Sequence, residues 1–117
     1  MNTGLTESDI QVIQDTLNSF TEIESAILFG SRAKGTYKKG SDIDIAIRFS
    51  IDSPNKGVHL IHVKFEEETP LPYFFDVVDL NSIQNKDLID HIKRVGIPLT
   101  PKINPCLLNT YKTLKIP

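Results

Sequence analysis

One segment limits what this chain can fold into more than any other: Gly30-Ser31, ten further residues, then Asp42-Ile43-Asp44. It lies between two apolar stretches, Ala26-Ile27-Leu28-Phe29 and Ile43-Asp44-Ile45-Ala46-Ile47. The first reads as a buried strand, since a short apolar run closed by a turn signal suits a covered sheet. The second alternates with period two, so Asp42, Asp44 and Ala46 face one way while Ile43, Ile45 and Ile47 face the other. Two carboxylates side by side on an apolar strand repel each other and lose hydration. A fold without chemistry gains nothing from that pair. A divalent cation removes the objection, because clustered hard oxygen ligands suit Mg²⁺.

The other half of the segment supplies a home for anions. Gly30-Ser31 follows the strand directly, and Arg32-Ala33-Lys34 can open a short helix whose first N–H groups favour phosphate. Gly30 lets a polyphosphate come close to the backbone. Ser31 adds a hydroxyl, and Arg32, Lys34, Lys38 and Lys39 add positive charge. Taken singly, these pieces describe a turn, a solvated basic loop and an exposed acid pair. At this spacing they describe a site for a nucleoside triphosphate held with Mg²⁺.

The remaining chain supplies a small scaffold. At 117 residues there is enough for one modest core, and 39% hydrophobic with 24% charged residues is ordinary for a globular domain. The net charge of −2 argues against nucleic acid as a direct ligand. The lone cysteine, Cys106, excludes an internal disulfide, and the absence of a long apolar run or leader pattern points to the cytoplasm rather than a membrane. Residues 6–20 predict a helix, with Thr6 as cap, Asp9 completing a capping box, and Ile10, Ile13, Leu17 and Phe20 on one face. The first strand falls within Glu22–Phe29, and Asp42–Phe49 is the second. Residues 50–57 read as a loop. Val58–Thr69 fits a helix or a strand, and helix is the better choice before Pro70 and Pro72. His59 and His62 lack the further ligands that a zinc site requires, and they read as part-exposed imidazoles, while His91 on a later helix reads as a surface residue.

Tyr73–Leu80 predicts a third central strand carrying two acids on opposite faces. Only one of Asp76 and Asp79 can join Asp42 and Asp44. The other is free to cap the following turn. A helix is expected over Lys86–Arg94, with Gly96 as a left-handed cap, then a short edge strand over Ile97–Leu99. Residues 1–99 thus form one domain, and 100–117 read as an arm ordered by a partner or loosely packed.

The string Gly30-Ser31-Arg32-Ala33-Lys34-Gly35, with Ser41-Asp42-Ile43-Asp44 following, resembles the DNA polymerase β-like nucleotidyltransferases. Within them it is similar to the minimal nucleotidyltransferases (MNT proteins), often antitoxins paired with HEPN toxins. The resemblance implies an α/β (α+β) fold, a small mixed sheet with helices on one face. It implies that Asp42 and Asp44 hold two Mg²⁺ ions and that Asp76, matching the family's third carboxylate, completes the set and takes a proton from the attacking hydroxyl. Gly30, Ser31 and Arg32 would bind the triphosphate of ATP. Larger relatives carry a second domain for the acceptor, whereas little follows Leu99 here, so the acceptor surface is expected from another chain or a second copy of this one. The function implied is transfer of AMP from ATP to a tyrosine of a HEPN-type toxin. Two alternatives are an antitoxin that only occludes its partner, and a subunit of a small-molecule nucleotidyltransferase.

Overall fold

The computed structural model describes residues 3–50 and 56–100, so expectations for the arm beyond Thr100 lie outside the described residues. Helix α1 (Glu7–Asn18) starts where the capping box requires. The Asp9 amide donates to Thr6 Oγ1 at 3.0 Å, and the Thr6 amide donates to Asp9 Oδ2 at 3.1 Å. Strand β1 (Ile23–Phe29) leads into a single short turn of helix, α2 (Gly30–Lys34). Strand β2 spans Ile43–Phe49. Helix α3 (Lys56–Glu68) settles the ambiguous stretch as helix and begins within the expected loop, so Lys56 and Gly57 are helical; residues 51–55 lie outside the described residues. Strand β3 (Phe75–Asp79), helix α4 (Lys86–Val95) and strand β4 (Ile97–Thr100) complete the chain, β4 reaching one residue past the expected strand. Among the described residues no helix is long and apolar enough to cross a membrane.

The four strands form one mixed sheet in the order β3-β2-β1-β4. β1 runs antiparallel to both β2 and β4, while β2 and β3 are parallel and joined across α3. Strand alternation divides the sheet cleanly. Ile43, Ile45, Ile47 and Phe49 of β2 lie with Ala26, Leu28, Phe75, Val77, Ile97 and Leu99 beneath α1 and α3. There Phe65 stacks on Phe75 with ring centroids 4.3 Å apart. Gln14, fully buried on α1, donates to the Leu99 carbonyl at 3.2 Å and ties the helix to the edge strand β4.

The opposite face carries a second, smaller cluster. Phe29, Ala46 and Ile92 are buried there, with Ile27, Val78 and Leu88 packed around them. Helix α4 therefore adds partial cover to the face that also bears the acids, because its Leu88 and Ile92 have apolar strand residues to bury against. Gly96 is not the left-handed cap that the sequence suggests: its φ and ψ are −58° and 141°. A side chain there is excluded for another reason. An added Cβ would meet the Ile92 carbonyl oxygen and lie 2.6 Å from Ile27 Cγ2. Glycine lets α4 sit close on β1.

Candidate active site

Register decides which acids meet. Phe29 pairs with Asp44 across β1 and β2, and Asp44 pairs with Asp76 across β2 and β3. Asp42 stands two residues before Asp44, at the entry to β2. Asp44 is half-buried, whereas Asp42 and Asp76 are exposed. The environment pushes the Asp44 carboxyl up from 3.8 to about 6, first through burial, then through the charges of Asp76 and Asp42, with Arg32 pulling the other way. Among the described residues, no three His, Cys, Asp or Glu side chains are gathered into a ready cation cage. The donor set nevertheless fits a hard divalent cation, since three carboxylates share one region and one of them is held in an unfavourable charged state that a cation relieves. Asp79 turns to the other face. It is buried, and it accepts from the Asn81 amide and the Ser82 hydroxyl, both at 2.9 Å, capping the turn after β3.

Gly30 sits where β1 becomes α2, with φ of +75°. An added Cβ would run into Asp44 Oδ2 and lie 2.9 Å from Asp44 Cγ, so the carboxylate rests directly on the glycine. Ser31 follows, part-exposed, and its carbonyl accepts the amides of Gly35 at 2.9 Å and Thr36 at 3.0 Å to close the short helix. The turn and Asp44 are thus in contact, built from different elements.

Arg32 has a different place from the one expected. It is only 3% exposed. Its Nε and Nη2 donate to the Ser41 carbonyl at 3.1 and 3.0 Å, and Nη1 donates to the Thr3 carbonyl at 2.9 Å. Tyr37 and Tyr73 lie over the guanidinium at 5.3 and 4.9 Å. Three of the five N–H groups of the fork are thus engaged by carbonyls within the protein. What Arg32 does instead is anchor Ser41, the residue that delivers Asp42, while its charge lowers the proton affinity of Asp44. Lys34, Lys38 and Lys39 remain exposed around the turn.

His91, expected at the surface, is part-buried beside the turn. Its Nε2 accepts the Gly30 amide at 3.1 Å, and its ring meets Phe29 edge-on with centroids 6.2 Å apart. Burial lowers its pKa, and the charges of Arg94 and Lys34 lower it further. No periodicity flags a lone histidine 61 residues from its partner. The Gly30 amide, expected to face phosphate, is therefore taken. His59 and His62 line an open groove of about 330 Å³ between α3 and β3 with Val58, Phe75, Asp76, Val77 and Asp79, and His62 lies 3.5 Å from Glu66.

A mixed sheet with a Gly-Ser turn ending one strand and acids on the next two is the architecture of a nucleotidyltransferase domain. The chain belongs to the family described as Polymerase beta, Nucleotidyltransferase, whose model matches residues 11–102. No curated protein matches the sequence. Among solved structures, a chain of a toxin–antitoxin with AMP-PNP is 23% identical with a TM-score of 0.63, and the match covers 95% of this chain and 84% of that one. A chain of the tri-AMPylated Shewanella oneidensis HEPN toxin in complex with MNT antitoxin is 22% identical with a TM-score of 0.56, covering 90% and 83%. A chain of the toxin–antitoxin MntA-HepT is 20% identical with a TM-score of 0.56, covering 90% and 79%. These likenesses establish a shared fold.

Proposed function

We propose that this protein is an Mg²⁺-dependent nucleotidyltransferase that transfers AMP from ATP to a tyrosine of a HEPN-type partner protein in the cytoplasm. The observation that carries the reading is the contact of the Gly30 turn with Asp44, flanked by Asp42 and Asp76. Two similar folds are described with AMP-PNP and with a tri-AMPylated HEPN toxin, which supports the choice of nucleotide and acceptor.

In this reading Asp42, Asp44 and, from the neighbouring strand, Asp76 would hold two Mg²⁺ ions. Bound Mg²⁺ supplies Lewis-acid chemistry: it offsets triphosphate charge and makes the acceptor hydroxyl easier to deprotonate. Ser31 and its turn orient the phosphates. Asp76, exposed at the rim of the site, accepts the proton of the acceptor hydroxyl. The acceptor oxygen bonds to the α-phosphorus as the bond to the pyrophosphate oxygen breaks, and pyrophosphate leaves. Apart from that exchange, the residues position groups and balance charge. Residues 1–99 form the transferase domain, and 100–117 are the arm toward the partner.

Titration calorimetry with ATP tests the nucleotide half. Binding is expected to require Mg²⁺ and to weaken sharply in Asp42→Asn or Asp44→Asn. Ser31→Ala removes one hydrogen-bond donor and should weaken binding less than either aspartate change. Equal affinity with and without Mg²⁺ would count against the site.

A further inference from the structure

The bond between Gly30 and His91 joins the nucleotide turn to a helix that the proposed chemistry does not otherwise use. We propose that His91 is a positioning residue: by accepting the Gly30 amide it holds the Gly30-Ser31 turn in the shape that seats Asp44 and receives the nucleotide. This deepens the function proposed above and rests on it.

The geometry leaves the histidine little choice of partner. Helix α4 is fixed on the sheet at two points. Ile92, next to His91, is buried against Phe29 and Ala46, and Gly96 allows the end of the helix to lie against Ile27. A helix anchored at both places aims the side chain at position 91 toward the end of β1. There Phe29 meets its ring edge-on, and the Gly30 amide points at Nε2. Acceptance at Nε2 requires a neutral imidazole with its proton on Nδ1. Burial and the neighbouring cations Arg94 and Lys34 favour that neutral form.

The turn needs such a hold. Gly30 occupies the left-handed region at φ +75°, from which an unrestrained glycine escapes readily. If it moves, it carries Ser31 with it and removes the surface on which the Asp44 carboxylate rests. The hold is a single hydrogen bond, but it constrains both the phosphate-binding and the metal-binding sides of the site.

Two variants and two readouts test this in the full chain. In ¹⁵N-labelled protein, Gly30 amide exchange should be slowed, and His91→Leu, which cannot accept, should speed it by about threefold to tenfold. His91→Leu should weaken binding of Mg²⁺ with a non-hydrolysable ATP analogue by a similar factor. His91→Gln, whose Oε1 can stand in for the Nε2 lone pair, should restore most of both. A merely structural histidine would not show this rescue, since Gln and Leu differ here chiefly in the acceptor. Unchanged exchange and affinity in His91→Leu would overturn the proposal. So would tighter binding by that variant, which would make His91 a competitor for the amide. If His91→Leu does not fold, the wild-type amide decides: exchange as fast as at exposed amides refutes the tether. Wild type that fails to bind the Mg²⁺–nucleotide refutes the function instead, and the exchange measurements still judge the tether.

Discussion

Replacing Gly30 with alanine separates strain in the fold from damage to the site. At φ +75° an L-residue is held in the left-handed region, at a cost of about 1–2 kcal/mol. The lower entropy of alanine in the unfolded chain adds about 0.4–1 kcal/mol in the opposite direction. The net loss of stability should therefore be about 1 kcal/mol, because the clashing atom is the mobile end of the Asp44 side chain rather than backbone. The site should suffer more. The new methyl group takes the place of the Asp44 carboxylate, which must swing away from the position flanked by Asp42 and Asp76. Loss of that ligand should reduce Mg²⁺-dependent ATP affinity at least tenfold, about 1.4 kcal/mol. Gly35→Ala is the matched control: Gly35 has φ of +89°, and an added Cβ there has nothing within 4 Å. It should lose similar stability while keeping its affinity within about twofold. Urea denaturation and calorimetry on both variants give the comparison. Equal affinities in Gly30→Ala and Gly35→Ala would refute the claim that the Gly30–Asp44 contact builds the site.

Other predictions follow from the same residues. The folded protein binds a proton at Asp44 more tightly than the unfolded chain does, with a carboxyl pushed up from 3.8 to about 6, so stability should fall as pH rises from about 4 to about 6 and stay lower above it. Asp44→Asn should therefore be more stable than wild type at pH 8 by about 1–2 kcal/mol after allowance for solvent screening, and the two should converge below pH 4. Urea midpoints across that range check the sign, and a wild-type advantage at pH 8 without metal would contradict it. Arg32→Lys should lose two of the three carbonyl hydrogen bonds and about 1–3 kcal/mol of stability. Unchanged stability with collapsed nucleotide affinity would instead restore Arg32 as a phosphate ligand.

The placing of the acids was legible because strand alternation is local. Asp42 and Asp44 lie two apart, and the acid-bearing third strand announced itself by its aromatic and β-branched residues. The register that pairs Asp44 with Asp76 between the parallel strands β2 and β3 is not set by either strand's own sequence. The errors arose where a residue type had two uses. Arg32 looked like a phosphate ligand because the sequence cannot show that Ser41 and Thr3 carbonyls face its guanidinium. Gly96 looked like a left-handed cap, whereas an added Cβ would meet the Ile92 carbonyl and Ile27, the latter a residue of another element. His91 carried no local signal, for its partner is set by how α4 crosses the sheet. What tertiary packing decides, spacing along the chain does not reveal.

The central claim is transfer, and it is tested most directly on the partner. The protein would be incubated with ATP, Mg²⁺ and a HEPN-type partner protein, and the partner weighed by intact-mass spectrometry with the modified residue mapped. The expected result is addition of AMP to a tyrosine, lost when Asp42 and Asp44 are both replaced by asparagine. A stable complex with an unmodified partner, inhibited equally well by the doubly substituted protein, would contradict it and leave occlusion as the function.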